Sequence, residues 1–505
     1  MSQLENATHF RSAGGPASQP GGAPVSGAVT PLPGTGAPGP GQHGSGQSAA
    51  ARNRAAWVLV LGSVAAFAMF LDTTIVNVAF ETISRSFGTT TGHLSWVLNA
   101  FSLVFAAVLI PSGRLADRYG RKRLFLTGLA GFAVFSALCG AAPDTGVLIA
   151  ARALQGAFAA LVVPGSLALV LPEFPPERRH VAIGTWSAMA AAAAALGPTL
   201  GALLTEYASW RWIFLVNVPI CAVLIVAGLR LLRESREDGA TGIPDPLGTL
   251  LVAAVPALLS FAIIEGPSWG WSSPAVAAGF AVAAALLPVF VWRSANTGRP
   301  AVDLALFRVR QFSVVNAATL IFAAAFYGML LSNTIFLQTA WHYSVLRAAL
   351  GSTPAPLVVV AAARPASSLA SRIGYRPVLT AGAISWAAGA VGLLLLIGGS
   401  PDWATRWLPV TLLIGLGIGL TLPVQSGAAV ATLPPARLGL GSAVSNSFRQ
   451  MGAVLGISLF AALVGAGTGS AAIRSYHHIW LVFAILSLAS GAVLFVPALR
   501  RARTA

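Results

Sequence analysis

The sequence predicts an all-α integral membrane protein, and three observations carry that prediction. The 505 residues are 56% hydrophobic and only 9% charged, with a mean hydropathy of +0.76. Soluble domains carry about 25% charged residues, so a water-facing surface cannot be built from this composition. Apolar runs of bilayer-crossing length, about 20 residues for a helix, recur from Ala55 onward between short polar breaks. Basic residues gather in alternate breaks, as the positive-inside rule requires of a polytopic chain. The formal net charge of +16 therefore points to membrane loops before nucleic acid.

Taken in order, residues 1–54 form a Gly-, Pro- and Ser-rich tail without apolar period, expected to be disordered. It lacks a signal-peptide core, so the first span is expected to direct insertion. Spans are expected near 56–79, 94–112, 124–142, 146–170, 181–204, 212–231, 247–265, 274–292, 313–337, 349–369, 377–398, 406–430, 439–465 and 478–498. That makes fourteen, the tenth being interrupted by Arg364. A cytoplasmic N-terminus puts twenty-two basic residues, from Arg52 to Arg503, on the inner side. The outer loops then hold five: Arg85, Arg211, Arg347, Arg406 and Arg474. Both termini are therefore expected in the cytoplasm. Trp57, Trp96, Trp210, Trp269, Trp341 and Trp480 fall near span ends, like an interfacial aromatic belt.

Charge inside the spans marks the candidate site. Asp72, in "FAMFLDTTIVNVAF", costs several kcal/mol in hydrocarbon unless paired, protonated or wetted. Burial raises a carboxyl's pKa and a nearby cation lowers it, so Asp72 is the best single candidate for carrying a proton. The competing reading is a structural hydrogen bond to Thr73, Asn77 or a neighbouring helix. Arg152 is either its intramembrane counter-charge or a side chain snorkelling to an interface. Glu206 and Glu265 lie close to outer ends, where interfacial roles fit. Asn77, Asn99, Gln155, Asn333, Gln338, Gln425, Asn446, Arg449 and Gln450 are the polar candidates for a substrate cavity, with Arg449 an anion contact or gating element. Cys139 and Cys221 sit in apolar runs and His477-His478 stands without further ligands, so no disulfide, metal or other cofactor is expected. No phosphate-binding Gly-Lys loop and no nucleophile constellation occurs, which excludes nucleotide drive and points to an ion gradient.

An internal repeat is also visible. "SGRLADRYGRKRLFLTG" joins the second and third spans, and "ASRIGYRPVLTAG" joins the tenth and eleventh without the acid. Two similar halves are what a parallel-repeat transporter shows.

These residues carry a family resemblance. "GRLADRYGRKR", residues 113–123, resembles the loop signature of the major facilitator superfamily. Gly113 and Gly120 are expected to allow a tight turn, with Asp117 set among Arg114, Arg118, Arg121, Lys122 and Arg123. The resemblance implies a cytoplasmic latch, Asp117 pairing with the start of the thirteenth span. "RALQGAFAALVVP", residues 152–164, resembles the fourth-helix signature headed by Arg152. "LGPTLGALLTEYASWRWIFLVNVPI", residues 196–220, resembles the fifth-helix motif of proton-driven exporters through Gly197, Pro198 and Gly201. Ala193 and Ala202 stand where glycine is usual. "LDTTIVNVAF", "EGPSWGW" and "SNSFRQMGAVLG" resemble the fourteen-helix drug–proton antiporter branch, although Phe80 precedes Glu81 where that branch has proline.

The resemblance spans roughly residues 55–500 and implies the major facilitator fold. Six-helix bundles are then expected over 55–235 and 301–500, with two additional transmembrane helices in 236–300 and a short cytoplasmic tail at 501–505. It implies a bacterial plasma-membrane exporter of hydrophobic or amphipathic small molecules, exchanging them for protons by alternating access. The expected partners are the lipid bilayer, a small-molecule substrate and protons, without nucleic acid, for a chain working as a monomer. A dedicated metabolite or sugar exporter and an uptake symporter are the alternatives within transport. A membrane enzyme or sensor on this scaffold would need convergent titratable groups or a signalling domain, and neither is present in the sequence pattern.

Overall fold

Inside a bilayer every backbone group must be satisfied within the segment that carries it, and this chain does so with helices throughout. The structure, a computed structural model, describes residues 49–175, 178–236, 245–298, 300–434, 437–464 and 470–495, some side chains inside helices excepted. The expected N- and C-terminal tails fall outside the described residues, apart from the few residues that open the first helix. The α-helices are α1 (Ala49–Phe87), α2 (Thr91–Tyr119), α3 (Arg121–Ala141), α4 (Thr145–Val170), α5 (Arg179–Tyr207), α6 (Trp212–Leu215), α7 (Asn217–Leu231) and α8 (Pro246–Trp269). They continue with α9 (Pro274–Asn296), α10 (Arg310–Thr339), α11 (Val345–Ser352), α12 (Pro354–Ile373), α13 (Tyr375–Leu396), α14 (Leu408–Val430), α15 (Leu438–Leu463) and α16 (Ser470–Val493). We call the end holding the start of α1 and the α2–α3 turn the basic end, and the opposite end the far end. At the far end, side chains of Thr90, Asp144, Ser273 and Ser344 cap α2, α4, α9 and α11 by accepting from a backbone N–H three residues on.

Among the described residues, twelve helical segments are long and apolar enough to cross a membrane, with α6–α7 and α11–α12 each counting as one. Leu250, Val223, Leu357 and Leu395 are exposed on these helices, as lipid-facing side chains should be. The protein is thus a multi-pass membrane protein. The sequence reading expects fourteen spans, and the two outside the twelve are α5 and α15, of 29 and 26 residues. Their length suffices. Polarity is what sets α15 apart, since Ser445, Asn446, Ser447, Arg449 and Gln450 follow one another along it.

Helix pairing occurs twice in the same pattern. α1 packs on α5, α2 on α4, and α3 on both α4 and α7; correspondingly α10 packs on α15, α12 on α14, and α13 on both α14 and α16. Close approach of α1 and α5 depends on Gly197 and Gly201, because a Cβ at Gly201 would lie 2.8 Å from the Ile75 carbonyl oxygen. Pro198 is buried within the same helix. The repeated inner turn is real at the backbone level. Gly120 ends α2 at φ 104° and Gly374 ends α12 at φ 89°, both in the half of φ space that side chains oppose. Gly113, expected to share the turn, instead lies inside α2 with open space at its Cβ position. The helix simply continues past it.

The two sets meet along α2 and α15, which run antiparallel: Asn99 Nδ2 donates to Ser458 Oγ at 2.9 Å and Ser447 Oγ to the Ala106 carbonyl at 2.8 Å. Helix α8 packs on both α2 and α15 and so straddles their junction. Arg293 of α9 grips Asp245, at the start of α8, through contacts of 2.8 and 2.7 Å. Those hydrogen bonds hold the Asp245 carboxyl below the ordinary carboxylate value despite its burial.

Candidate functional site: a buried ion pair beside a cavity

Asp72 lies in α1 with no exposed surface, so its charge has to be met by protein. Arg152, one turn from Gln155 on α4, donates from Nη1 to Asp72 Oδ2 and, at 2.7 Å, to Gln155 Oε1. Gln155 Nε2 and Asn217 Nδ2 each donate to Asp72 Oδ1 at 3.1 Å. The same two amides donate to Ser136 Oγ on α3, at 2.7 and 3.1 Å. Arg152 Nε donates to the Val97 carbonyl at 3.1 Å, and its guanidinium carbon sits 4.1 Å from the Phe101 ring centre. Three helices, α1, α4 and α7, thus meet at one carboxylate, and α2 and α3 hold its partners. Arg152 is 1% exposed, which overturns the snorkelling alternative: it is a fully embedded cation with an acid partner.

Arg152 of this pair borders a small cavity between the two repeated sets. The cavity is lined by Thr73, Asn77, Leu98, Phe101, Ser102 and Arg152 from the first set and Tyr327 and Ile457 from the second. At the far end the sets are joined. Gln338 Nε2 donates to the Val78 carbonyl at 3.2 Å, Thr199 and Thr353 share a 3.2 Å hydrogen bond, and the Leu346 N–H donates to Glu206 at 2.7 Å. Ala202, Val78 and Ala349 close a small apolar contact there.

The expected site residues therefore separate into groups. Asp72, Arg152 and Gln155 form one network, but Gln155 is sealed inside it and does not line the cavity. Asn77 does line it, donating its amide to the Thr73 and Thr74 carbonyls of its own helix and none to Asp72. Gln338 belongs to the far-end seam. Asn446 is partly exposed on α15, and Arg449 is half-buried there with Nη2 donating to Ser426 Oγ at 3.1 Å.

In the α2–α3 turn, the Asp117 side chain lies outside the described residues, and with it the expected latch contact. The backbone N–H groups of Lys122 and Arg123 donate to Glu234 at 3.0 and 3.2 Å, while that of Arg121 donates to the Ser235 carbonyl at 2.9 Å. Lys122 Nζ donates to the Leu229 and Leu232 carbonyls at the end of α7. Arg118 rests on the neighbouring Tyr119 ring. These contacts anchor the turn to its own repeat.

Sequence reasoning missed Asn217, Ser136 and Glu234. Asn217 had a signal, an amide alone in the apolar run "WIFLVNVPI", and a buried amide needs a partner. Ser136 had none, since serine bonds its own helix readily, and Glu234 is one acid in a mixed-charge loop.

A doubled set of membrane helices enclosing a buried acid–base pair defines an integral membrane protein of the parallel-repeat kind. Comparison with known proteins narrows this. The Major Facilitator Superfamily profile matches residues 62–329. The puromycin resistance protein of Streptomyces alboniger is 35% identical over 410 residues, 80% of each chain. The multidrug resistance protein Stp of Mycobacterium tuberculosis is 35% identical over 409 residues, 81% of this chain and 75% of its own. The tetracenomycin C resistance and export protein of Streptomyces glaucescens is 30% identical over 419 residues, 83% of this chain and 77% of its own. In fold, the chain is similar to a crystal structure of a POT family transporter, with a TM-score of 0.63 at 13% identity, over 88% of this chain and 96% of that one. The chain belongs to the Major Facilitator Superfamily.

Proposed function

We propose that the protein is a secondary active exporter of hydrophobic or amphipathic small molecules, such as antibiotics, driven by exchange for protons. The observation that carries this reading is the buried Asp72–Arg152 pair, whose arginine lines a cavity between the two helix sets. The resistance and export proteins that the chain resembles support the direction of transport. In this reading the basic end faces the cytoplasm with both termini, α5 and α15 also cross the membrane to make fourteen spans, and α1–α7 and α10–α16 rock as two bundles. A single chain encloses the cavity, which suits a monomer.

Asp72 is then the proton carrier. While ionised it neutralises Arg152; a proton on Asp72 leaves that guanidinium as an uncompensated buried charge, which costs several kcal/mol unless the surroundings rearrange. Proton occupancy therefore biases the balance between outward- and inward-facing states, as coupling requires. Gln155 and Asn217 hold the carboxylate in place, and Ser136 accepts from both amides. The test is accumulation of hydrophobic dyes of both charges, one anionic and one cationic, by inverted vesicles under an imposed proton gradient. Asp72→Asn should lower gradient-driven accumulation tenfold or more while sparing downhill equilibration of the compound. Undiminished proton-driven accumulation in Asp72→Asn would remove Asp72 from the coupling role. Wild-type accumulation that survives collapse of the gradient would sink proton exchange altogether.

A further inference from the structure

Arg449 is a charge the mechanism above does not use. Its Cα lies eleven residues into α15, about 16 Å from the basic end of that helix at 1.5 Å per residue, too deep for ordinary interfacial solvation. Helical side chains lean toward the helix N-terminus, which carries the guanidinium to Ser426 on α14 at 3.1 Å. Ser426 is a neutral partner. Among the described residues Arg449 has no carboxylate within ion-pair distance, and its Nε is buried without a hydrogen-bond acceptor. On the same two helices the buried side-chain oxygens of Gln425 and Ser445 are also unpartnered. Tyr327 lines the central cavity with Arg152.

Charge balance gives the ligand its sign. In the centre of the molecule Asp72 and Arg152 cancel, while Glu81, Glu206 and Glu265 lie near the far end, so the charges left inside the spans, Arg449 and the exposed Arg364 of α12, are both positive. A guanidinium inside a membrane protein calls for an anionic or strongly accepting partner, and its planar fork matches a carboxylate. We propose that Arg449, with Ser426, forms a subsite for the anionic group of the cargo, so that the exported molecules are amphipaths bearing a carboxylate or phenolate. Arg449 grips the anion, the Ser426 hydroxyl adds a hydrogen bond, and the apolar body lies toward the central cavity. The inference rests on the export reading and narrows it from hydrophobic compounds in general to acidic ones.

Two dyes of the same ring system and opposite charge test it: fluorescein, with a carboxylate and a phenolate, and cationic rhodamine 6G. Binding to the full chain in nanodiscs is followed by fluorescence polarisation. Fluorescein should bind about tenfold or more tightly than rhodamine 6G, the scale of one charge-assisted hydrogen-bonded contact. Arg449→Gln should remove that preference while changing rhodamine 6G affinity less than about threefold, and Arg449→Lys should restore part of it. Ser426→Ala, which keeps the charge, should weaken fluorescein binding only a few-fold. Equal wild-type affinity for the two dyes, no fluorescein binding, or an equal loss of both dyes in Arg449→Gln would each overturn the subsite. Proton-driven accumulation by inverted vesicles separates the two readings. Rhodamine 6G moved and fluorescein ignored leaves export standing without the anion site. Fluorescein bound through Arg449 but neither dye accumulated leaves the site standing without export.

Discussion

Helices α1 and α10 hold the same place in the repeat and share the spacing of Phe70, Asn77 and Phe80 with Phe326, Asn333 and Phe336. Their centres are built on opposite principles. Where α1 has Asp72, α10 has Gly328, and the space a side chain would take is filled by the Phe483 ring. Arg152 precedes Pro164 on α4 by the interval at which Thr411 precedes Pro423 on α14, and Thr411 bonds only the Leu408 carbonyl of its own helix. Instead of an ion pair, the second set has aromatic packing at this depth: Phe322 stacks on Phe326 and meets Trp386, each at 6.3 Å between ring centres. Aromatic contact of this kind stabilises without regard to protonation, whereas a buried ion pair couples structure to it. A duplicated scaffold thus carries an ion pair between α1 and α4 and apolar packing at the matching positions of α10 and α14.

The sharpest way to break this comparison is to remove the cation from one centre and its counterpart from the other. Arg152→Ala leaves Asp72 buried without its partner and should cost about 3–5 kcal/mol. Thr411→Ala removes one local hydrogen bond and should cost about 1 kcal/mol. Thermal unfolding in detergent measures both, and equal losses would end the distinction between the two centres. The double variant Asp72→Asn, Arg152→Gln should recover part of the Arg152→Ala loss, because no unpaired charge then remains buried.

A smaller difference is expected at the repeated turn. Gly120→Ala forces a side chain into positive φ and against the Glu234 carboxylate, for a cost of about 1–3 kcal/mol. Gly374→Ala meets the same backbone strain in open space, so it should cost about 1 kcal/mol. Equal melting-temperature shifts would show that the Glu234 contact contributes nothing beyond the φ requirement. This acid also shows why the turn was only half legible in sequence: a positive-φ glycine between basic residues is a local pattern, whereas its partner arrives from beyond α7.

The smallest effect concerns the other ion pair, Asp245–Arg293, which belongs to neither repeat. Its hydrogen bonds lower the folded-state pKa of Asp245 below the unfolded value of 3.8. A depressed carboxylate contributes stability above 3.8 and loses that contribution as pH falls through the folded pKa. The melting-temperature gap between wild type and Asp245→Asn should therefore be constant from pH 7 to about 5 and shrink below 3.8. A gap that persists in acid would mean that Asp245 acts by packing and not by charge.

By itself the sequence determined whatever depends on local composition and period. Apolar length and alternating basic breaks specified a helical membrane protein, because a bilayer leaves the backbone no other arrangement. Gly120 and Gly374 marked the repeated turn, because positive φ is a property of a single residue. Asp72 and Arg152 announced themselves as charges in hydrocarbon, which must find partners. Which partners they found was decided by tertiary structure. Asn217 reaches Asp72 from α7, Ser136 of α3 accepts from the two amides that hold the carboxylate, and Gln155, read in sequence as a cavity group, is turned into the network instead. Polar side chains along a membrane helix look alike in sequence, and only the rotation of that helix against its neighbours assigns each one to a cavity, a seam or a buried bond.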